Sequence, residues 1–255
     1  MTVIVIACAA FVSTLVGGLV ALKLRDQLHL ILGFSAGAVI GVAFFDLLPE
    51  SIELGEKYFA HGTVTGVVAL GFLVYLILDR LVVLHAHAHS DDQDHDRSSA
   101  APPSRHIQRG ILGAGSLSIH SFLDGVAIGL AFQVSAAVGV IVAVAVLVHD
   151  FSDGINTVSL ILKNTGEKKR ALHWLIVDAV APVVGAASTL LFRLPEEGLS
   201  IVLAVFSGFF LYIGASDLIP ESHHAHPKFL TTVMTLLGAA VLYAAIVAVH
   251  GLRVM

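Results

Sequence analysis

The sequence predicts an all-α, polytopic membrane protein with eight transmembrane helices, and three observations carry that prediction. Only 13% of the 255 residues are charged while 56% are hydrophobic, and the mean hydropathy is +0.89. A soluble domain carries about a quarter charged residues, so most of this surface does not meet water. Apolar stretches recur along the whole chain, each long enough to cross a hydrocarbon core of about 30 Å. The charged outer faces that a large soluble helical bundle would need are missing from those stretches.

The first span is read at 2–22. No positive residue precedes it, whereas Lys23 and Arg25 follow it. That order is wrong for a cleavable signal peptide, so the segment is expected to be a permanent span. The others are expected at 31–51, 63–84, 111–133, 136–162, 170–193, 199–220 and 228–251. Merging the fourth and fifth into one re-entrant pair would give seven, but their combined length favours two crossings. Glycines such as Gly17, Gly37, Gly185 and Gly208 are scattered through the spans, as expected where helices pack closely in lipid. The single cysteine, Cys8, excludes an internal disulfide and a thiolate metal cage.

Lys and Arg set the orientation. With the N-terminus outside, eleven of them fall on the cytoplasmic side, and only Lys57, Arg193 and Arg253 lie outside. Both termini then face outward, in a multi-pass arrangement expected for a bacterial plasma (inner) membrane. Residues 85–110 form a polar loop, expected to be largely disordered. Its His85, His87, His89 and His95 are interspersed with Asp91, Asp92, Asp94 and Asp96. Imidazole and carboxylate together suit Zn²⁺ and its neighbours, so the loop is read as a cytoplasmic collector or sensor of metal, or else as a plain tether.

The sequence also echoes itself. Asp46-Leu-Leu-Pro-Glu-Ser51 recurs as Asp217-Leu-Ile-Pro-Glu-Ser222, identical at five of six positions. The copies close the second and seventh spans on opposite faces of the membrane, which is how an inverted repeat reads. A shared proline-ended helix terminus is the other account. Between the outer triplets, His120-Ser-Phe-Leu-Asp-Gly125 is echoed by His149-Asp-Phe-Ser-Asp-Gly154. The expected organisation is therefore 3+2+3: a first three-helix repeat (1–84), the His-rich loop (85–110), a central pair (111–162) and a second repeat (170–255).

The central pair concentrates the chemistry. His120 and Asp124 are four apart and project from one face of a helix; His149 and Asp153 repeat that spacing, with Asp150 beside them. An ionised Asp near mid-bilayer costs about 2.5–3.5 kcal/mol on insertion scales. A divalent cation held between the two helices would compensate, since His nitrogen and Asp oxygen both ligate Zn²⁺ at about 2.0–2.2 Å. Ser121, Asn156 and Gln133 are expected to add neutral oxygens, and Gly125 and Gly154 to let the backbones approach or unwind. Asp46, Glu50, Asp217 and Glu221 are read as entrance and exit ligands, or as caps at solvated helix ends. Asp178 is isolated in an apolar run and is a further candidate for the same cavity.

At this point the arrangement resembles the ZIP (Zrt/Irt-like) family of divalent-metal transporters, over the whole chain. The resemblance implies eight spans, outward termini, a His-rich loop after span three, and paired metal-binding motifs in spans four and five. Carried over by position, it places His120, Asp124, His149, Asp150 and Asp153 at metal-binding positions, and Ser121 where the family often has Asn. Asp124 and Asp153 stand in place of Glu, Leu123 and Ser152 in place of kinking prolines, and Ala181-Pro182 in place of Glu-Pro.

The function expected from this reading is uptake toward the cytoplasm of Zn²⁺ or a similar divalent ion. No Gly-x-x-x-x-Gly-Lys-Ser/Thr phosphate loop is present, so gradient or membrane potential is the expected driving force. The metal is substrate, not catalytic cofactor. The expected partners are the ion and the bilayer, with a homodimer among the assemblies the sequence allows and no nucleic acid. A cation-efflux carrier and an intramembrane zinc-dependent hydrolase remain as alternatives. The excess of carboxylates favours passage of an ion over an activated water.

Overall fold

The computed structural model describes residues 2–22, 28–88, 103–223 and 229–251. Within them the chain is almost entirely helical, and eight helical segments are long and apolar enough to cross a membrane. They are Thr2–Ala21, Leu30–Gly55, His61–Arg80, Gly110–Val134, Ala136–Thr165, Lys168–Leu191, Glu196–Leu218 and Phe229–Ala248. Each overlaps the span expected from hydropathy. The apolar residues pointing away from the bundle, such as Val5, Leu70, Ile77 and Leu236, are what lipid would cover.

The first span is α1 (Thr2–Ala21). The second is compound: α2 (Leu28–Val42), a π-helical turn (Ala43–Leu47) and α3 (Leu48–Gly55). The third is α4 (His61–Ala88), the fourth α5 (Pro103–Val134), the fifth α6 (Ala136–Thr165) and the sixth α7 (Lys168–Ser188) with a short 3₁₀ turn after it. The seventh repeats the compound form: α8 (Glu196–Tyr212), a π-helical turn (Ile213–Leu218) and α9 (Ile219–His223). The eighth is α10 (Phe229–Gly251). Helix thus takes in both flanks of the segment expected as a polar loop at 85–110, while 89–102 lie outside the described residues.

Proline explains the compound spans. Pro49 and Pro220 have no N–H to offer the carbonyl four residues back, and their rings crowd it. In each span the helix widens just upstream into a π turn, a device common at functional sites, and then resumes. The Leu48 N–H reaches the Ala43 carbonyl, and the Ile219 N–H the Gly214 carbonyl. Ser51 donates to the Leu48 carbonyl (2.8 Å) and Ser222 to the Ile219 carbonyl (2.7 Å), so the two copies agree in detail.

Ser135 separates α5 from α6 and caps the latter, its hydroxyl accepting the Val138 N–H at 3.2 Å. At the other end Gly166 closes α6 with φ +68°, the left-handed cap that glycine adopts freely. Helix α6 forms the centre: 72% of its membrane window is buried, against 17% for α4. It packs on α1, α2, α5 and α7; α5 packs on α7, α2 on α10, and α4 on α8.

Close crossings at glycine come in matched pairs. Where α1 crosses α6, Gly17 lies against the Phe151 carbonyl and Gly154 against the Thr14 carbonyl. Where α7 crosses α5, Gly185 lies against Phe122 and Gly125 against Pro182, again at carbonyl oxygens. Gly37 and Gly238 join α2 to α10 through the carbonyls of Thr235 and Phe34, and Gly208 and Gly71 join α8 to α4 through those of Val68 and Val205. A Cβ at any of these eight positions would overlap a neighbouring backbone.

Candidate metal site

Helices α5 and α6 run side by side and present the same four-residue spacing to each other. His120, Asp124, His149 and Asp153 offer one ligand atom each, all within 4.8 Å of one another, and all four residues are buried. Asp124 is the hinge of the group: its Oδ2 lies 3.2 Å from His120 Nε2 and 3.2 Å from His149 Nε2. Asp153 Oδ2 lies 3.5 Å from His120 Nε2. Two ligands about 2.0 Å from a tetrahedral Zn²⁺ stand roughly 3.3 Å apart; these three separations are close to that, within a group whose four ligand atoms all lie within 4.8 Å.

Both imidazoles turn Nε2 inward because Nδ1 is engaged elsewhere. His149 Nδ1 faces the Ala145 carbonyl at 3.0 Å, on its own helix. His120 Nδ1 faces the Tyr75 hydroxyl at 3.2 Å, on α4. With Nδ1–H donated, Nε2 carries the lone pair a metal needs, the usual supporting arrangement of a histidine ligand.

The neighbouring acids occupy different positions. Asp150 is fully buried with 0% exposure, its Oδ1 3.9 Å from His149 Nε2, and neither carboxylate oxygen has a hydrogen-bond partner among the described residues. Ser121 donates to Asp178 Oδ1 at 2.8 Å, with the Leu117 carbonyl of its own helix at 3.1 Å. Thr157 donates to Asp178 Oδ2 at 2.8 Å, so this buried acid on α7 is satisfied by hydroxyls from α5 and α6. Asp46 is buried in the first π turn and Asp217 half-buried in the second, with Glu50 half-buried one turn beyond Asp46. Glu221 belongs to α9, its side chain lying outside the described residues.

One expectation is corrected, and of two alternatives at the glycines the structure shows close approach. Gln133 does not face the cluster: it staples the turn after α7, donating to the Thr189 and Phe192 carbonyls (3.0 and 2.9 Å) and accepting the Leu194 N–H at 3.0 Å. Polar atoms at that end of α5 serve backbone groups left over where α7 stops. Nor do the helices unwind at Gly125 and Gly154, since α5 and α6 are continuous there. With Leu123 and Ser152 in place of prolines nothing breaks them, and the glycines serve close approach alone.

Buried imidazoles and carboxylates inside eight membrane-crossing helices define a polytopic membrane protein with the donor set of a metal centre. The family described as Zip, ZIP zinc transporter, matches residues 84–245, and the chain belongs to that family. It is accordingly a metal-ion transporter and not an enzyme. The chain is 27% identical over 242 residues to the zinc transporter ZupT of Corynebacterium aurimucosum, covering 90% of each chain. It is 27% identical over 257 residues to ZupT of Corynebacterium glutamicum, covering 91% of this chain and 95% of that one. Against the zinc transporter foi of Drosophila melanogaster it is 28% identical over 131 residues, half of this chain and 18% of that protein.

Proposed function

We propose that the protein carries Zn²⁺, or a divalent ion of similar ligand preference, through the bundle toward the cytoplasm by way of the His120–Asp124–His149–Asp153 cluster. The observation that carries this reading is the convergence of four buried ligand atoms within 4.8 Å of one another on two adjacent helices. Two neutral nitrogens and two carboxylates would neutralise a dication within the hydrocarbon region, which none of the four could do alone. The names of the relatives favour zinc as cargo.

Asp150, beside the cluster with no hydrogen-bond partner among the described residues, is assigned as an additional ligand during passage. Ser121 is assigned a nearby role through Asp178. Asp46, Glu50, Asp217 and Glu221 are assigned to the two mouths of the path, and the His-rich segment within 85–110 to collecting metal on the cytoplasmic face. The orientation rests on the Lys and Arg bias, which puts both termini outside a bacterial inner membrane.

The 3+2+3 organisation as inverted repeats has support beyond the two sextets. Exchanging α1 with α7, the second span with the seventh, α4 with α10 and α5 with α6 maps each glycine crossing onto another. The π turns exchange likewise.

Uptake of radiolabelled Zn²⁺ into proteoliposomes tests the proposal, beside an Asp124→Ala/Asp153→Ala variant. Saturable uptake by the unmodified protein and none by the variant is the expected result. Equal flux through both would refute the site.

A further inference from the structure

We propose that Tyr75, on the third span, is a positioning residue of the metal site: its phenol oxygen accepts the Nδ1–H of His120 and holds the imidazole with Nε2 toward Asp124 and Asp153. The proposal rests on the cluster being the transport site.

Four observations lead to it. The phenol oxygen lies 3.2 Å from His120 Nδ1, and the rings meet edge to face at 6.0 Å and 86°. His149, the matching imidazole, needs no such help, because the Ala145 carbonyl on its own helix takes its Nδ1. The Tyr75 ring is itself held, 5.2 Å from Phe209 and 5.3 Å from Tyr212, both on α8. The phenol therefore carries the position of the α4–α8 pair to a ligand on α5.

The fourth observation is the comparison of the two halves. Gly71 on α4 and Gly238 on α10 take matching places, each against a partner carbonyl. Four residues further along stand Tyr75 in one half and Leu242 in the other; eight residues along stand Asp79 and Ile246. Likewise Gly208 and Gly37 match, and four residues on stand Tyr212 and Gly41. Tyr212 donates to Asp79 Oδ2 at 2.9 Å. Where the second half is apolar, the first carries a phenol on the histidine and a phenol–carboxylate pair one turn beyond. Packing alone does not require those hydroxyls, because Leu242 fills its own site with 1% exposure.

A metal-bound histidine that loses the partner of its outer nitrogen typically loses 10–100-fold in metal affinity. Zinc-uptake kinetics of the full chain in proteoliposomes are the test. Tyr75→Phe keeps the ring and its packing, and its KM is expected to rise about tenfold or more with maximal rate within about twofold of the unmodified protein. Phe206→Leu loosens the neighbouring packing of α8, one ring contact removed from Tyr75, and its KM is expected to stay within about twofold. An unchanged KM in Tyr75→Phe, or an equal rise in both variants, overturns the proposal. Should Tyr75→Phe fail to fold, ¹⁵N NMR of histidine-labelled, zinc-loaded unmodified protein decides: a hydrogen-bonded Nδ1–H at His120 supports it, and metal on Nδ1 or an unbonded Nδ1–H refutes it. His120→Ala separates the two levels. Uptake surviving in His120→Ala sinks the site itself, whereas uptake lost there but unaltered in Tyr75→Phe sinks only the role of Tyr75.

Discussion

Asp124→Asn should separate what the cluster does for metal from what it does for the fold. Asp124 is the carboxylate that touches both imidazoles, at 3.2 Å each. The amide has the same shape and can still accept from one ring N–H. It cannot supply an anionic ligand. Disturbing the partner behind a ligand already costs 10–100-fold in affinity, so removing a ligand's charge should cost at least about 100-fold. In the metal-free protein the change runs the other way. The group shares a buried space with Asp153 and Asp150, and an ionised Asp at that depth costs about 2.5–3.5 kcal/mol. Neutralising one of them should leave the apo fold as stable as before or more so.

The assay is thermal or denaturant unfolding in detergent, with and without Zn²⁺. At a free concentration 100 times the dissociation constant, zinc stabilises the unmodified protein by about 2.7 kcal/mol. At the same concentration a variant with 100-fold weaker binding gains about 0.4 kcal/mol by the same relation. The expected result is therefore an apo protein that is undamaged and nearly blind to zinc. If Asp124→Asn loses about 2 kcal/mol or more without metal and keeps its zinc response, the carboxylate is a structural partner of the two histidines. The coordination argument then fails.

Three further outcomes follow from the packing. Gly154→Ala drives a methyl into the Thr14 carbonyl and should cost about 1–3 kcal/mol or more, read as lower melting temperature and lower monodisperse yield; Gly62→Ala, with open space around it, should be neutral. Asp178→Leu strands the Thr157 hydroxyl, whereas Ser121 can fall back on the Leu117 carbonyl, and should cost about 1–3 kcal/mol, with Asp178→Asn milder in the same melt. Gln133→Ala frees the turn at 189–194, so hydrogen exchange there should quicken while exchange in α6 stays unchanged.

What the sequence could reveal followed from periodicity and cost. Hydropathy alone locates eight spans, because the hydrocarbon core imposes its thickness on each helix separately. The His and Asp pairs are visible because spacing of four is a property of one helix. Contacts between helices are not local, and there the sequence reading ran out. Gln133 reaches Thr189 and Phe192, 56 and 59 positions away, so in the sequence a polar side chain in an apolar run looks like a ligand and not like a staple. Ser121 has its partner 57 positions on, in Asp178, which nothing in span four announces. The prolines marked helix ends in the sequence; they mark π turns in the structure, because a helix can widen upstream of Pro49 and continue.

The same distinction accounts for how a near-symmetric frame can hold an asymmetric site. Glycine crossings fix where backbones run, and those are duplicated between the halves. Side chains projecting from the frame are free to differ, and they do: Tyr75 and Asp79 stand against Leu242 and Ile246, and Asp178 on α7 against Ala10 on α1. Net flux through a carrier follows the ion's electrochemical gradient, while a difference between its two half-paths sets the affinity met on each side. Side chains can supply that difference without disturbing the crossings that hold the helices together.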